Sequence, residues 1–219
     1  MRIDKDISKR SIASKTKQPI AIAFLLSFEG CVTERIYFEG LGKLIKSNKL
    51  IYPVVRDSNE SGWSDPIKLI NGFKEQENKI LSDISFDKDL DKICFIVDRD
   101  KYPKERYDEV IEICKKEKYF LFVTNPCFEF WLLLHFIDCI NINQAELKKN
   151  KRQTNSCTFI EKELSGHLKS YKNKRFRFDD IKNRINQALQ NVKKYCTDNE
   201  GLEFQLGSSL GGLIKELIC

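Results

Sequence analysis

Acidic side chains follow two strongly apolar segments of this chain. Glu29 comes directly after residues 20–28, and Asp98 and Asp100 come after residues 92–97. Both segments are typical of buried parallel strands, and ligands of an open parallel sheet bind beyond the carboxyl ends of its strands. Asp98 and Asp100 can share one face, because side chains at i and i+2 of a strand point the same way. Carboxylates this close repel one another, so the sequence predicts a site for Mg²⁺ or Mn²⁺, hard cations that prefer carboxylate oxygens.

Two further acids are candidates for the same site. Glu129 stands inside the apolar stretch 127–138, where a charged side chain is costly to bury without a partner or a metal, so we predict a catalytic role for it. Glu34 falls in the first turn of a predicted helix, where the helix dipole favours any acid. A role for Glu34 as an outer metal ligand is an equally good interpretation, and both stay open at this point.

The histidines and cysteines argue against a zinc site. His135 and His167 are the only histidines, and the eight cysteines are scattered without a CxxC spacing. His135 is six positions after Glu129, about 240° around a helix, so we predict a core histidine bonded to the backbone. Scattered cysteines are typical of a reduced protein, and the apolar run 19–26 lacks a cleavage site after it, so we expect a cytoplasmic protein. The apolar stretch 130–137 is too short to span a bilayer.

The order of the apolar segments predicts an α/β fold with a mostly parallel four-stranded sheet flanked by helices, followed by an α-helical C-terminal extension. Thr33 is the predicted cap of the first helix. The predicted strands are 20–28, 51–56, 92–97 and 119–124, the helices between them 33–46, 66–81 and 103–118, and the helices of the extension 127–138, 144–166, 178–195 and 208–217. The predicted organisation is a basic flexible arm over 1–18, a catalytic core over 19–138, and a basic helical extension over 139–219 that packs on the core.

The charge of the chain is unevenly distributed. Residues 1–18 carry a net charge of +4, and residues 144–194 carry fourteen basic and five acidic side chains, a net charge of +9. The chain as a whole has a net charge of +6, so the remaining residues together carry a net negative charge. Acidic clusters attract metal cations and basic regions attract polyanions. This division fits a protein that processes a nucleic acid with bound metal.

Basic and aromatic residues alternate in the segment 169–178. The basic members could contact phosphates while the rings stack on unpaired bases. The segment could equally be a surface loop whose rings anchor in the core, and the sequence favours neither interpretation. The predicted nucleic-acid-binding residues are Lys169, Lys172, Lys174, Arg175 and Arg177.

Two of these motifs together are more specific than either alone. The segments 28–34 (FEGCVTE) and 96–100 (IVDRD) resemble the Toprim domain shared by topoisomerases, bacterial primases and OLD-type nucleases. With the segments 33–38 (TERIYF) and 125–136 (NPCFEFWLLLHF), the set resembles the RloB-like family, Toprim-type proteins of bacterial defence loci. The resemblance spans residues 20–138 and fades over 139–219.

The resemblance implies a Toprim or Rossmann-like fold and roles for the acids at its motif positions. Glu29 is similar to the Toprim glutamate, which acts as a general acid or base near the metal. Asp98 and Asp100 resemble the metal-binding pair, and Glu129 takes the place of a further acid after the last core strand.

The leading hypothesis is therefore a Mg²⁺- or Mn²⁺-dependent nuclease that acts in antiphage defence. Its substrate would be RNA, such as a structured tRNA, or DNA, and the resemblance implies a partner ATPase that controls it. A second hypothesis is a catalytically silent adaptor or regulatory subunit of Toprim shape. A third is nucleotidyl transfer, which ranks last because the chain has no primase-like zinc motif. The sequence predicts no membrane association, and an oligomer is compatible with it.

Overall fold

The computed structural model describes residues 21–30, 32–45, 48–54, 65–99, 102–154, 157–172 and 176–219. All structural statements concern these residues. The predicted basic arm, residues 1–18, lies outside them. In this part of the chain no helix is both long enough and apolar enough to cross a membrane. The seven cysteines that it contains are all free thiols.

Four parallel strands form the centre of the molecule, as the sequence predicts. The parallel strands are β1 (Ile22–Phe28), β2 (Lys49–Pro53), β3 (Lys92–Asp98) and β4 (Phe120–Asn125). They lie in the order β2-β1-β3-β4, with a fifth strand beside β4. Each neighbouring pair among these four strands is parallel.

The fifth strand is one that the sequence did not predict. β7 (Gly207–Ser208) pairs antiparallel with β4, through Thr124 opposite Ser208 and Asn125 opposite Gly207. Only glycine fits at Gly207, because a Cβ there would lie 2.0 Å from the carbonyl oxygen of Cys196. A strand of two residues leaves no periodic signal in the sequence. The predicted four-stranded sheet is therefore a five-stranded one with an antiparallel edge.

Helices cover both faces of the sheet and define two core clusters. α1 (Thr33–Leu44) lies on one face, and α2 (Pro66–Asp83) and α3 (Lys104–Glu117) lie on the other. The alternation of β1 supplies both clusters: Phe24, Leu26 and Phe28 point to the α1 side, and Ala23 and Leu25 point to the opposite side. Burial on both faces explains why the strand is apolar along its whole length.

The helix starts follow different rules. Asp65 caps α2 through hydrogen bonds from the amides of Ile67 and Lys68, and Pro66 takes the first helical position. The predicted cap at Thr33 is wrong, because α1 already begins there and its cap residue, Val32, makes no side-chain cap hydrogen bond.

The C-terminal region is more broken than the sequence predicts. Its elements are α4 (Phe128–Leu133), α5 (Gln144–Lys149), β5 (Arg152–Thr154), β6 (Cys157–Thr158), α6 (Phe159–His167), α7 (Lys169–Lys172), α8 (Ile185–Asn191) and α9 (Leu210–Ile218). Asn150 ends α5 in the left-handed conformation, with φ of 39°, and Thr158 with Glu161 forms a capping box that begins α6. The predicted helix 144–166 is therefore wrong, since the antiparallel strands β5 and β6 lie between these two points. The predicted helix 178–195 is also wrong in part, since single 3₁₀ turns precede and follow α8.

This region belongs to the same core as α1. Buried residues of α6, α8 and α9, such as Leu164, Ala188 and Leu213, join the cluster that contains β1 and α1. The described part of the extension therefore packs on the sheet. The predicted boundary at residues 138 and 139 stays a prediction.

Candidate functional site

The carboxyl ends of β1 and β3 bring two of the predicted acids together. The strands are neighbours, with Phe28 opposite Ile96, so Glu29 and Asp98 emerge side by side. The backbone amide of Asp98 donates a hydrogen bond of 3.3 Å to Oε2 of Glu29. The amide of Glu29 in turn donates to the carbonyl of Ile96 at 3.2 Å. The predicted proximity of Glu29 and Asp98 is confirmed.

Tyr102 fixes the other oxygen of Glu29. Its hydroxyl donates a hydrogen bond of 2.5 Å to Oε1 of Glu29. Burial, followed by the neighbouring Glu29 carboxylate, raises the pKa of Tyr102 far above its ordinary value, so the phenol keeps its proton and acts as a donor. Arg99 Nη1 donates to the carbonyl of Tyr102 at 2.6 Å and holds this residue in place. Tyr102 could not be identified from the sequence, because it reaches Glu29 only through the fold.

Asp98 connects the strand ends to the next helix. Its Oδ1 accepts a hydrogen bond of 2.9 Å from the amide of Phe128, the first residue of α4. The helix has no side-chain cap of its own, because Cys127 at the cap position makes none. Asp98 therefore satisfies one of the open amides at the start of α4, and it fixes the helix that carries Glu129.

Glu34 lies at the same edge, folded back on the turn after β1. Its carboxylate accepts a hydrogen bond of 3.0 Å from the amide of Gly30, and the residue is only 8% exposed. Burial raises the pKa of Glu34 to about 7, and repulsion from Glu129 and then from Glu29 adds to the effect. Glu129 and Glu29 are therefore both close enough to Glu34 to act on its charge. The Glu34 carboxylate occupies the space that a side chain at position 30 would need, since a Cβ on Gly30 would lie 2.1 Å from its oxygens.

Glu129 is held by a residue of the C-terminal region. It lies in the first turn of α4, half-buried, and its Oε1 accepts a hydrogen bond of 2.6 Å from the hydroxyl of Tyr171 in α7. Burial, followed by the Glu129 charge, raises the pKa of Tyr171 far above its ordinary value. Tyr171 is thus a second phenol that donates to an acid of the site. The sequence placed Tyr171 in the basic and aromatic segment but did not connect it with Glu129.

The donor chemistry of this edge fits a hard divalent ion only in part. Carboxylate oxygens are its preferred ligands, and the residues Glu29 and Asp98 lie next to each other, joined by the bond from the Asp98 amide to the Glu29 carboxylate. Another predicted ligand, Asp100, lies outside the described residues. Within the described ranges, no three His, Cys, Asp or Glu side chains form a group that could hold a metal ion. Glu29, Asp98 and Glu34 are the described members of the predicted ligand set, and metal binding stays a prediction.

Comparison with protein families decides where this chain belongs. A family model described as RloB-like protein matches residues 24–217. The chain belongs to the RloB-like family. No curated protein matches it, and no solved structure matches it either. The family match corrects the resemblance drawn from the motifs, which fades after residue 138, because it takes in most of the C-terminal region of this RloB-like chain.

His135 of the RloB-like chain is a core residue, as predicted. It is fully buried, and its Nδ1 lies 3.0 Å from the carbonyl oxygen of Trp131. Its Nε2 lies 3.3 Å from the hydroxyl of Tyr37. Burial lowers the pKa of His135 to about 4, so the ring is neutral at physiological pH. His135 joins α4 to α1 and contributes no charge to the acidic edge.

The basic segment of this RloB-like chain is anchored in the core by its rings, which is one of the two interpretations left open by the sequence, and its contact with nucleic acid stays a prediction. Phe176 and Phe178 are buried in the core, so these rings anchor the segment and cannot stack on bases. Lys169 and Arg177 are exposed, and Arg177 pairs with Asp180 at 2.8 Å. The residues Lys174 and Arg175 and the side chain of Lys172 lie outside the described part of the chain.

Proposed function

We propose that this RloB-like protein is a metal-dependent, Toprim-type nuclease that hydrolyses phosphodiester bonds of a nucleic acid. The observation that carries the proposal is the linked row of acids at one edge of the sheet. Glu29 and Asp98 are joined through a backbone hydrogen bond of 3.3 Å, and Asp98 in turn binds the start of the helix that carries Glu129. Structural carboxylates do not need to converge in this way. Burial, with repulsion from Glu129 and Glu29 added to it, raises the pKa of Glu34 to about 7.

Glu29 and Asp98 would hold the Mg²⁺ or Mn²⁺, together with Asp100 on the strength of the motif. When bound, such an ion neutralises charge at a phosphodiester and activates water for in-line attack. Glu29 is the candidate general acid or base that the Toprim resemblance implies. Tyr102 holds its Oε1 in a fixed position, so the carboxylate is oriented before substrate arrives.

Glu129 and Glu34 would tune the charge of the site. A carboxyl whose pKa lies near 7 can hold or release a proton at neutral pH, and Glu34 has this property. Tyr171 fixes the Oε1 of Glu129. Together, Glu129 and Glu34 would adjust the negative charge of this edge of the sheet when a phosphate approaches.

The basic region supports a polyanionic substrate. Residues 144–194 carry a net charge of +9, and part of this region, α7, contacts the acidic edge through Tyr171. We propose a nucleic acid as the substrate and include structured RNA such as tRNA, which the resemblance to defence proteins favours. An antiphage role and a controlling ATPase partner are proposed on the same resemblance.

The test is incubation of the purified protein with end-labelled RNA and DNA pools in Mg²⁺, in Mn²⁺ and in EDTA. Beside the wild type, Glu29→Ala and Asp98→Ala remove the two described ligands, and Glu105→Ala removes an exposed acid of α3 as a control. We expect metal-dependent cleavage by the wild type and the control alone. The proposal fails if the wild type cleaves neither pool in any metal, alone or with a cognate ATPase, or if both site variants cleave as well as the wild type.

A catalytically silent adaptor is the second candidate, and one observation favours it. Both oxygens of Glu29 already accept hydrogen bonds, from Tyr102 and from the amide of Asp98. Such a carboxylate could be purely structural. Titration of Mn²⁺ into the protein by calorimetry separates the two, since an adaptor needs no Mn²⁺ site that Asp98→Asn abolishes.

A further inference from the structure

An open cleft lies beside the candidate site, on the C-terminal side of the molecule. Its volume is about 330 Å³, and it is formed where α6 ends, along the first residues of α7, and at the 3₁₀ turns that precede α8. Lys169 and Ser170 of α7 line it. None of the roles given above uses this cleft as a whole.

Two stacked rings form one wall of the cleft. Phe136 and His167 have their ring centroids 5.9 Å apart and their planes inclined by only 19°. The guanidinium of Arg184 lies over the Phe136 ring, 5.2 Å from its centre. His167 is exposed and Phe136 is half-buried, so the more accessible ring of the stack is that of His167. An exposed ring backed by a second ring, with a cation at the stack, is a surface on which a nucleic-acid base can stack.

The cleft also carries positive charge. Lys169, Arg177 and Arg184 are exposed around it, and Asp180 is the one acid among the described lining residues. Asp180 is already engaged, since its carboxylate accepts hydrogen bonds from Arg177 at 2.8 Å and from the hydroxyl of Ser170 at 2.7 Å. These bonds fix the shape of the cleft. Its described lining residues carry three cationic side chains and one acidic side chain. A phosphate group is the complementary ligand.

The cleft is close to the acidic edge. Ser170 lines the cleft, and the next residue, Tyr171, donates its hydroxyl to Glu129. The Cα atoms of these two consecutive residues are about 3.8 Å apart. The same short helix, α7, therefore contacts both the cleft and the acidic edge. A strand whose nucleotide sat in the cleft would have its neighbouring phosphates near the acids.

We propose that this cleft binds one unpaired nucleotide of a nucleic-acid strand, with the base on the Phe136–His167 stack and a phosphate at Lys169 and Arg184. The inference rests on the proposed function for the class of ligand. It adds that the protein selects single-stranded or looped segments, because a base inside a duplex cannot reach the ring wall.

The test measures binding without cleavage, by fluorescence anisotropy in EDTA. The probes are a labelled single-stranded RNA, its DNA counterpart and the matched duplexes. His167→Ala removes the exposed ring, and the double variant Lys169→Ala/Arg184→Ala removes two cations of the cleft. The double variant Lys148→Ala/Lys193→Ala removes two exposed lysines elsewhere in the same basic region as the matched control. Phe136→Leu is a further variant, with circular dichroism to check folding.

We expect single strands to bind at least about tenfold more tightly than duplexes, and the cleft variants to lose about tenfold while the control loses little. The proposal is overturned if duplexes bind as tightly as single strands, or if the control variant loses as much as the cleft variants. Adenosine monophosphate should compete better than inorganic phosphate; equal competition would exclude stacking. If adenosine monophosphate binds as tightly as the oligonucleotide, the occupant of the cleft is a free nucleotide. That result would overturn the proposal of a bound strand.

Cleavage is scored separately in Mn²⁺. If single strands bind at the cleft and are not cleaved, the nuclease proposal fails and the binding site stands. If cleavage occurs and the cleft variants bind normally, the nuclease stands and the cleft proposal fails.

Discussion

The hydroxyl of Tyr171 lies 2.6 Å from Oε1 of Glu129 and donates a hydrogen bond to it. Tyr171 belongs to a four-residue helix of the C-terminal region, and Glu129 lies in the first turn of the helix after the last parallel strand. The bond therefore joins the basic region to the acidic edge of the sheet. Glu129 stands inside an otherwise apolar stretch, and this phenol is one of the partners that allow its burial.

Tyr171→Phe should lower both stability and cleavage. The change removes a hydrogen bond to a charged group, which contributes about 1.5–3 kcal/mol, and it leaves Glu129 free to move. We expect a loss of about 1–2 kcal/mol in urea unfolding and a fall in cleavage rate of about tenfold. Tyr119→Phe is the control, because Tyr119 donates to Glu77 at 3.2 Å at the opposite end of the sheet. A Tyr171→Phe protein that loses stability and cleaves at the wild-type rate would make the bond structural only.

Tyr102→Phe should act on the site with little effect on the rest of the fold. The hydroxyl of Tyr102 donates the 2.5 Å hydrogen bond to Glu29, so its removal leaves one carboxylate oxygen without this bond. The carboxylate then loses its fixed orientation, so we expect the cleavage rate to fall about tenfold while the free energy of urea unfolding changes little. A cleavage rate equal to that of wild type, in Tyr102→Phe as in the control Tyr119→Phe, would show that Tyr102 does not orient Glu29.

Gly30→Ala should disrupt the turn after β1. The new Cβ would lie 2.1 Å from the Glu34 carboxylate oxygens, so the carboxylate must move and lose its bond to the Gly30 amide. We expect a loss of about 1–3 kcal/mol in thermal or urea unfolding, the usual cost of overpacking. Gly166→Ala is the matched control, since a Cβ there meets nothing within 4 Å and alanine favours the helix. Equal stability of the two variants would contradict the close approach of Glu34 to Gly30.

Glu34 should make stability fall as the pH rises. Its pKa is raised from 4.5 to about 7 in the folded protein, so between those values the native state binds a proton that the unfolded chain has released. This favourable contribution is complete below pH 4.5 and is lost as the pH rises through about 7. In EDTA, the stability of Glu34→Gln relative to wild type should rise over that window by up to about 3 kcal/mol.

The control for this titration is Glu105→Gln. Glu105 is also the second residue of its helix, but it is exposed. The stability of the Glu105→Gln protein relative to wild type should change little between pH 4.5 and 7. A flat difference for Glu34→Gln, like that expected of the control, would mean that Glu34 titrates as an ordinary carboxyl.

The strand-end acids could be predicted from sequence because their positions follow from local patterns. An apolar run of strand length ends on Glu29 and another on Asp98, and neighbouring parallel strands bring their carboxyl ends together. Tyr102 and Tyr171 could not be found in this way. Each reaches its glutamate across 73 or 42 residues of chain, and only tertiary packing sets that distance.

The errors in the C-terminal region have a different cause. A continuous helix over 144–166 fits the apolar periodicity, but Thr158 and Glu161 form a capping box whose S/T-x-x-E pattern is visible in the sequence. That pattern by itself predicts a helix start at residue 159. The left-handed conformation at Asn150 also has a local signal, since asparagine tolerates it. The two-residue strand β7 has none.

The most direct test of the central claim is the cleavage rate of labelled RNA and DNA as a function of Mn²⁺ concentration, for wild type, Glu29→Gln and Asp98→Asn. Both substitutions keep an oxygen that can accept the hydrogen bond of Tyr102 or Phe128 while removing the negative charge. The account predicts saturable Mn²⁺-dependent cleavage by the wild type and a fall of at least about 10²-fold in both variants, the scale of a lost charge-stabilising group. Variants that cleave at the wild-type rate, or a wild type whose rate is the same in EDTA, would contradict it.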